Sequence, residues 1–222
     1  MKYKPLKKDL TEQEETCFYC NRRLKSLKAY VLEDLETGYN IFVGPSCIKE
    51  FISKDYNLSL IPDLTRYTEA LNSRGKKEND SEERVHIQKE NTLEQSEKDY
   101  KKAIEYLELR EDKLAGSYNT SYTVLNKYYQ IYLTNNKLET DIVRHILNIE
   151  KNAPEKFKLI NLQKCYNYSF WIKVGIRQLN EEASSFLKSI ESYLQINLTI
   201  TDKQKKGVNK WLEKLDAIPK LK

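Results

Sequence analysis

Histidine, glycine and proline are scarce in this chain: two, six and five residues among 222. Two histidines supply little of what a hydrolytic metal site needs, namely imidazole and carboxylate ligands, an open position and a general base. There is no Gly-x-Gly-x-x-Gly, no phosphate-cradling Gly-x-x-x-x-Gly-Lys, no Gly-x-Ser-x-Gly nucleophile turn and no His-Glu-x-x-His. Three fragments look like catalysis without completing it. Glu83-x-x-His86 is half of a di-iron signature whose second copy is missing, Asp141 and His145 stand one turn apart as a surface ion pair would, and Glu181-Glu182 reads as a solvated helix face. Long apolar runs are missing as well. No window reaches the ~18 apolar residues of a membrane span, and the opening MKYKPLKKDL has no apolar signal core. These absences predict a non-enzymatic protein that stays in the cytoplasm, away from membranes.

Charge is what the chain has in quantity. Lys and Arg number 38 against 33 Asp and Glu, a net +5. The balance is uneven. Residues 1–55 carry ten basic and nine acidic side chains, 56–115 eleven and fourteen, and 116–222 seventeen and ten, giving +1, −3 and +7. An anionic partner would meet the C-terminal half. Tyrosine is also abundant, with 16 in all. Residues 118, 122, 128, 129, 132, 166 and 168 fall in that half, either as core residues of a helical domain or as rigid contact area for protein or bases. Tyr128, Tyr129, Tyr166 and Tyr168, interleaved with Lys127 and Lys164, are the candidate partner-binding residues.

The apolar pattern predicts an α+β, mainly α protein. Ala29 to Leu32 reads as a strand, Glu36-Thr37-Gly38 as a turn, and Tyr39 to Val43 as a second strand. Gly44-Pro45-Ser46 breaks the hairpin, and Ile48, Phe51 and Ile52 then fall at helical spacing. A short helix is expected after Pro62, a linker over 73–80, and an acidic helix from Ser81 to Gly116 with Leu93, Tyr100, Ala103, Ile104, Leu107 and Leu114 on one stripe. Helices follow around 121–134 and 140–151, and one long helix over 168–194. Thr201-Asp202-Lys203-Gln204 forms a capping-box pattern ahead of a last helix. The expected organisation is a zinc module over 1–55, a short helix and linker over 56–80, and an all-helical domain over 81–222.

Four cysteines in a chain with no signal segment point to metal rather than to disulfides. Cys17-x-x-Cys20 places two thiols on one turn, and Asn21 occupies the next position, where positive φ is tolerated. Cys47 follows the hairpin at the start of the expected helix, where a thiolate is favoured electrostatically. Knuckle, hairpin and ligand-bearing helix together make a treble-clef-like layout holding structural Zn2+. The fourth ligand is expected three residues beyond Cys47, at Glu50; His86, Cys165, His145 and water are the alternatives. A module of about fifty residues buries too little to fold alone, and zinc contributes an apparent ~10–16 kcal/mol to such modules.

From Cys17 to Phe51, the succession Cys-x-x-Cys, hairpin, Val43-Gly44-Pro45-Ser46-Cys47-Ile48-Lys49-Glu50-Phe51 resembles a zinc module of phage, prophage and plasmid proteins that read Val-Gly-x-x-Cys-x-x-Asp-Phe. Near the C-terminus, Phe186-Leu187-x-Ser189 followed by Thr201 to Gln204 is similar to a segment that recurs in mobile-element proteins. The resemblance implies a phage-type protein of one of two kinds. One is an inhibitor of a host defence nuclease, as type II anti-CRISPR proteins inhibit Cas9, with the acidic helix near 81–112 facing a basic channel. The other is a nucleic-acid-binding accessory protein, supported by the basic C-terminal half but opposed by the lack of clustered Arg. The first is the expectation.

Overall fold

In the computed structural model the described residues are 2–11, 15–53, 56–66, 88–215 and 218–221, with only the backbone described for 88–94. The expected linker over 73–80, His86 and Glu83, and the side chain of Leu93 all lie outside them.

Three antiparallel strands, β1 (Tyr3–Leu10), β2 (Lys28–Asp34) and β3 (Asn40–Val43), form a sheet in the order β1-β2-β3. The hairpin is where the sequence places it. Asp34 Oδ1 accepts the Glu36 N–H at 2.9 Å, Gly38 takes φ 72°, and its N–H reaches the Asp34 carbonyl at 2.7 Å. Strand β1 was not expected, because Lys4, Lys7, Lys8 and Pro5 obscure any alternation. Proline is tolerated here at an outer strand, next to a register irregularity between Pro5 and Lys7. That outer edge is covered by the segment after Ile61: the Lys8 N–H donates to the Pro62 carbonyl at 2.7 Å and the Leu64 N–H to the Lys8 carbonyl at 2.9 Å. Residues 62–66 are therefore extended, and the short helix expected after Pro62 does not begin there.

The remainder is helical: α1 (Gln88–Leu107), a π-helical segment (Glu108–Lys113), α2 (Ala115–Tyr118), α3 (Thr123–Asn135), α4 (Thr140–Asn152), α5 (Leu159–Gln178), α6 (Glu181–Asn197) and α7 (Asp202–Leu212). The chain is thus α+β and mainly α. α1 packs against α4 and α5 against α6 around a core that includes Tyr106, Leu107, Leu109, Leu125, Ile146, Leu162 and Trp171. Of the expected stripe, Ala103, Ile104, Leu107 and Leu114 are buried and Tyr100 packs against them. The single helix expected over 168–194 is two. Leu179 is extended, and Asn180 starts α6 by accepting the Ala183 N–H at 3.1 Å, with Glu181 and Glu182 in the first turn. At α7 the capping box is present, with Thr201 Oγ1 accepting from Gln204 N at 3.2 Å and Gln204 Oε1 from Thr201 N at 2.8 Å.

The π-helical segment turns charge inward. Glu108, Arg110 and Glu111 are buried, and each is partnered. Arg110 donates to Tyr106 Oη at 2.9 Å and to the Thr120 carbonyl, and lies 4.5 Å from the Phe157 ring centre. Glu111 accepts from Ser121 Oγ at 2.5 Å and from the Tyr122 N–H at 2.9 Å, capping α3, whose own N-cap side chain does not. Glu108 meets Lys7 of β1 at 2.6 Å. Two residues on, buried Asp9 accepts from Lys113 at 2.9 Å and from Tyr166 Oη at 2.7 Å. Burial pulls the Lys113 ammonium down, but the Asp9 and Asp112 carboxylates outweigh it and hold it above its ordinary value. Burial, reinforced by Asp9, raises the Tyr166 phenol well above its own, so it stays a donor. Leu10, Leu27 and Leu64 enter the helical core beside these pairs. The sheet is therefore joined to the helices by both apolar and charged contacts.

Candidate metal centre

Thr16 and Arg23 pair across the base of the knuckle, and the Cys17 N–H donates to the Arg22 carbonyl at 2.8 Å. Between them the chain turns tightly. The Asn21 N–H reaches the Cys17 carbonyl at 2.8 Å, and Asn21 adopts φ 54°, the positive value expected after the second cysteine. The Phe18 N–H donates to the Phe42 carbonyl at 2.8 Å, fastening the knuckle to β3. Beyond β3, Gly44 brings its backbone against the knuckle. Its N–H donates to Cys17 Sγ at 3.3 Å, and a Cβ there would stand 3.2 Å from Leu24 Cδ2.

These contacts bring together the sulfurs of Cys17, Cys20 and Cys47, all within 4.8 Å of one another, with Cys47 Sγ 3.7 Å from Cys20 Sγ. Three thiols so placed could hold a metal ion. Their electrostatics suit it. Burial alone would push the Cys17 thiol up, but the N–H groups of Gly44, Cys20 and Tyr19 outweigh it and bring it down to about 7. At Cys47 the Ser46 hydroxyl lowers the thiol, and desolvation with the neighbouring Cys20 and Cys17 leaves it raised. A cation among the sulfurs would offset this mutual repulsion.

The expected fourth ligand is not part of the cluster. Cys47 leads into a single 3-10 turn, Ile48–Glu50, not the longer helix expected through Ile52, and the exposed Glu50 lies outside the group that the sulfurs form. Cys165 is fully buried in the helical core, where desolvation pushes its thiol up to about 12, that of an inert packing residue. His145 bonds Tyr128 Oη through Nδ1 at 2.7 Å, while Asp141 pairs with Arg144 at 2.7 Å; the expected Asp141–His145 pair is replaced by these two.

The four candidate tyrosines do not share one surface. Tyr129 and Tyr168 are 8% and 4% exposed, Tyr166 is fastened to Asp9, and Tyr128 packs partly on the core beside His145. Aromatic side chains stand instead at the metal centre. Phe51 lies 5.1 Å from Tyr3, 6.2 Å from Phe18 and 5.9 Å from Tyr19, ring centre to ring centre. Phe18 and Tyr19, the two residues between Cys17 and Cys20, are 52% and 55% exposed. The signal in the sequence is their position between the two cysteines of the knuckle.

Comparison of the chain with protein-family models, with curated proteins and with solved structures finds no match. Among the described residues no helix is long and apolar enough to cross a membrane.

Proposed function

We propose that this chain is a non-catalytic zinc protein that acts by binding another macromolecule, and that the metal is a structural staple of its N-terminal module. The observation that carries this reading is the convergence of three thiols, with the Cys17 sulfur held by the Gly44 N–H. Thiolate donors disfavour Mg2+ and Ca2+ and suit Zn2+, and a sulfur-rich tetrahedral site is characteristic of structural zinc. The ligands come from two separate segments, the knuckle and the turn after β3, so one ion holds both ends of the hairpin. The module has little else: its own buried cluster comprises Cys17, Leu24, Ala29, Leu32, Val43 and Ile48. A fourth donor, from Glu50 in another rotamer or from water, would complete the tetrahedron.

Two partners fit the resemblance, a host defence nuclease such as Cas9 and nucleic acid itself. The inhibitor reading drew on an acidic helix near 81–112, yet Glu105, Glu108 and Glu111 of that stretch are buried on internal partners. The nucleic-acid reading gains the exposed Phe18 and Tyr19 next to Arg22 and Arg23. This observation favours the second. Elemental analysis of protein purified with zinc present tests the metal: about one zinc per chain is expected, and metal-free protein would end the staple reading. Target cleavage by several Cas9 orthologues tests the inhibitor, which unimpaired cutting would remove.

A further inference from the structure

The geometry points to a binding platform for single-stranded nucleic acid on the knuckle of the metal module, with bases stacking on Phe18 and Tyr19 and phosphates held by Arg22 and Lys25. The inference rests on the reading of the chain as a zinc-stapled binding protein and specifies its partner.

Exposed aromatics normally retreat into a core, since leaving apolar area in water is unfavourable. Here Phe18 and Tyr19 remain more than half exposed while grouped with Tyr3 and Phe51. A contiguous exposed apolar patch of this kind marks an interaction site. It is also preorganised: Phe18 is fixed by its N–H bond to Phe42, and the turn beneath both rings is closed by Asn21 and fastened through Gly44 to the Cys17 sulfur. Little ordering is left for a ligand to impose, which lowers the cost of binding.

Charge selects the class of occupant. From Thr16 to Leu32 the chain carries Arg22, Arg23, Lys25 and Lys28 and no acidic residue. Arg22 and Lys25 are exposed, Lys28 reaches the Thr65 carbonyl at 3.3 Å, and Lys2 stands 5.7 Å from the centre of the Tyr3 ring. Acidic groups nearby include Glu15, whose carbonyl accepts the Leu24 N–H at 3.0 Å, Glu33, Glu36, which is engaged with Lys2 at 3.0 Å, and Glu50, exposed on the turn after Cys47. Exposed rings beside the exposed Arg22 and Lys25 match a ligand with π-faces on an anionic backbone. Single strands fit better than duplex, because paired bases have no free face. Among the described residues, the helical turns of the module, Ile48–Glu50 and Leu58–Leu60, are also too short to enter a major groove.

The test uses the full-length, zinc-loaded chain and fluorescein-labelled oligonucleotides, a 20-mer of thymidylate, a 20-mer of uridylate and a mixed-sequence duplex, read by anisotropy at 50 and 200 mM NaCl. Micromolar single-strand binding is expected, at least tenfold tighter than duplex binding and weaker at the higher salt. Phe18→Ala and Tyr19→Ala should each weaken it about 5- to 100-fold. Phe18→Tyr and Tyr19→Phe, which keep the rings, should bind as the parent does. Arg22→Ala with Lys25→Ala should reduce the log–log salt slope by about 1.4, at ~0.7 per phosphate contact. No binding at 50 mM NaCl, equal binding of duplex, or affinity indifferent to loss of both rings would overturn the proposal. Zinc content measured on the same samples separates the two claims: zinc-loaded protein that ignores single strands refutes the platform and leaves the staple standing. Metal-free protein refutes the staple, and the platform is then judged by the ring variants alone.

Discussion

The sheet module and the helical region solve the problem of stability by different means. The module's own buried cluster holds six residues, one of them the candidate ligand Cys17, whereas the helical core is built from large side chains such as Trp171, Tyr106 and Leu162. Hydrophobic burial grows with domain size, so a small unit needs a cross-link or an ion where a large one does not. What complicates the contrast is the joint. Lys7, Asp9 and Leu10 of β1 are embedded in the helical region, so an ion among the cysteines would brace the β3 edge of a sheet whose β1 edge is already anchored.

The largest expected effect separates the two ends. Cys17→Ser, or a chelator, should remove the ion and with it an apparent stabilisation on the order of 10 kcal/mol from the module. Hydrogen exchange should then accelerate in β3 and the knuckle while α5 and α6 stay protected; loss of protection in both regions together would break the comparison. Next come two substitutions of similar size. Trp171→Ala should cost about 3–5 kcal/mol in denaturant unfolding, through the cavity it leaves, with zinc still bound. Asp9→Ala should also cost about 3 kcal/mol, because the buried Tyr166 hydroxyl loses its acceptor and Lys113 keeps only Asp112. Its signature differs: β1 amides should exchange faster than α5 amides, and uniform acceleration would show that the joint is not a separable unit. The smallest effect is Thr201→Ala, which removes the cap of α7 and should lower stability by about 1 kcal/mol with no change in metal binding or β1 exchange.

Elements specified by short-range rules were legible. Cys17-x-x-Cys20 with Asn21, the Asp34-to-Gly38 turn and the Thr201–Gln204 box each depend on a few adjacent residues, and each is present. The break at Leu179–Asn180 is legible in Asn180-Glu181-Glu182, a helix-start signal, but Leu179, Ala183, Phe186, Leu187, Ile190 and Leu194 fit one apolar period that spans it. Strand β1 was not legible: half-buried along Tyr3–Lys8, it owes its form to β2 on one side and to residues 62–64 on the other. Periodicity records which face meets the core, and a strand flanked by backbone partners and charged pairs has no clean face to record.

By itself the sequence determined the cysteine knuckle, the hairpin beside it and the helical character of the rest, because turn propensity and apolar period are local properties. Only the tertiary structure decided what the charged and aromatic residues do. Glu105, Glu108 and Glu111 carry the composition of a surface and lie inside, whereas Phe18 carries that of a core and, with Tyr19, lies outside. The reason is physical. A buried charge is tolerable only where distant residues supply its hydrogen bonds, and which residues those are is set by the fold.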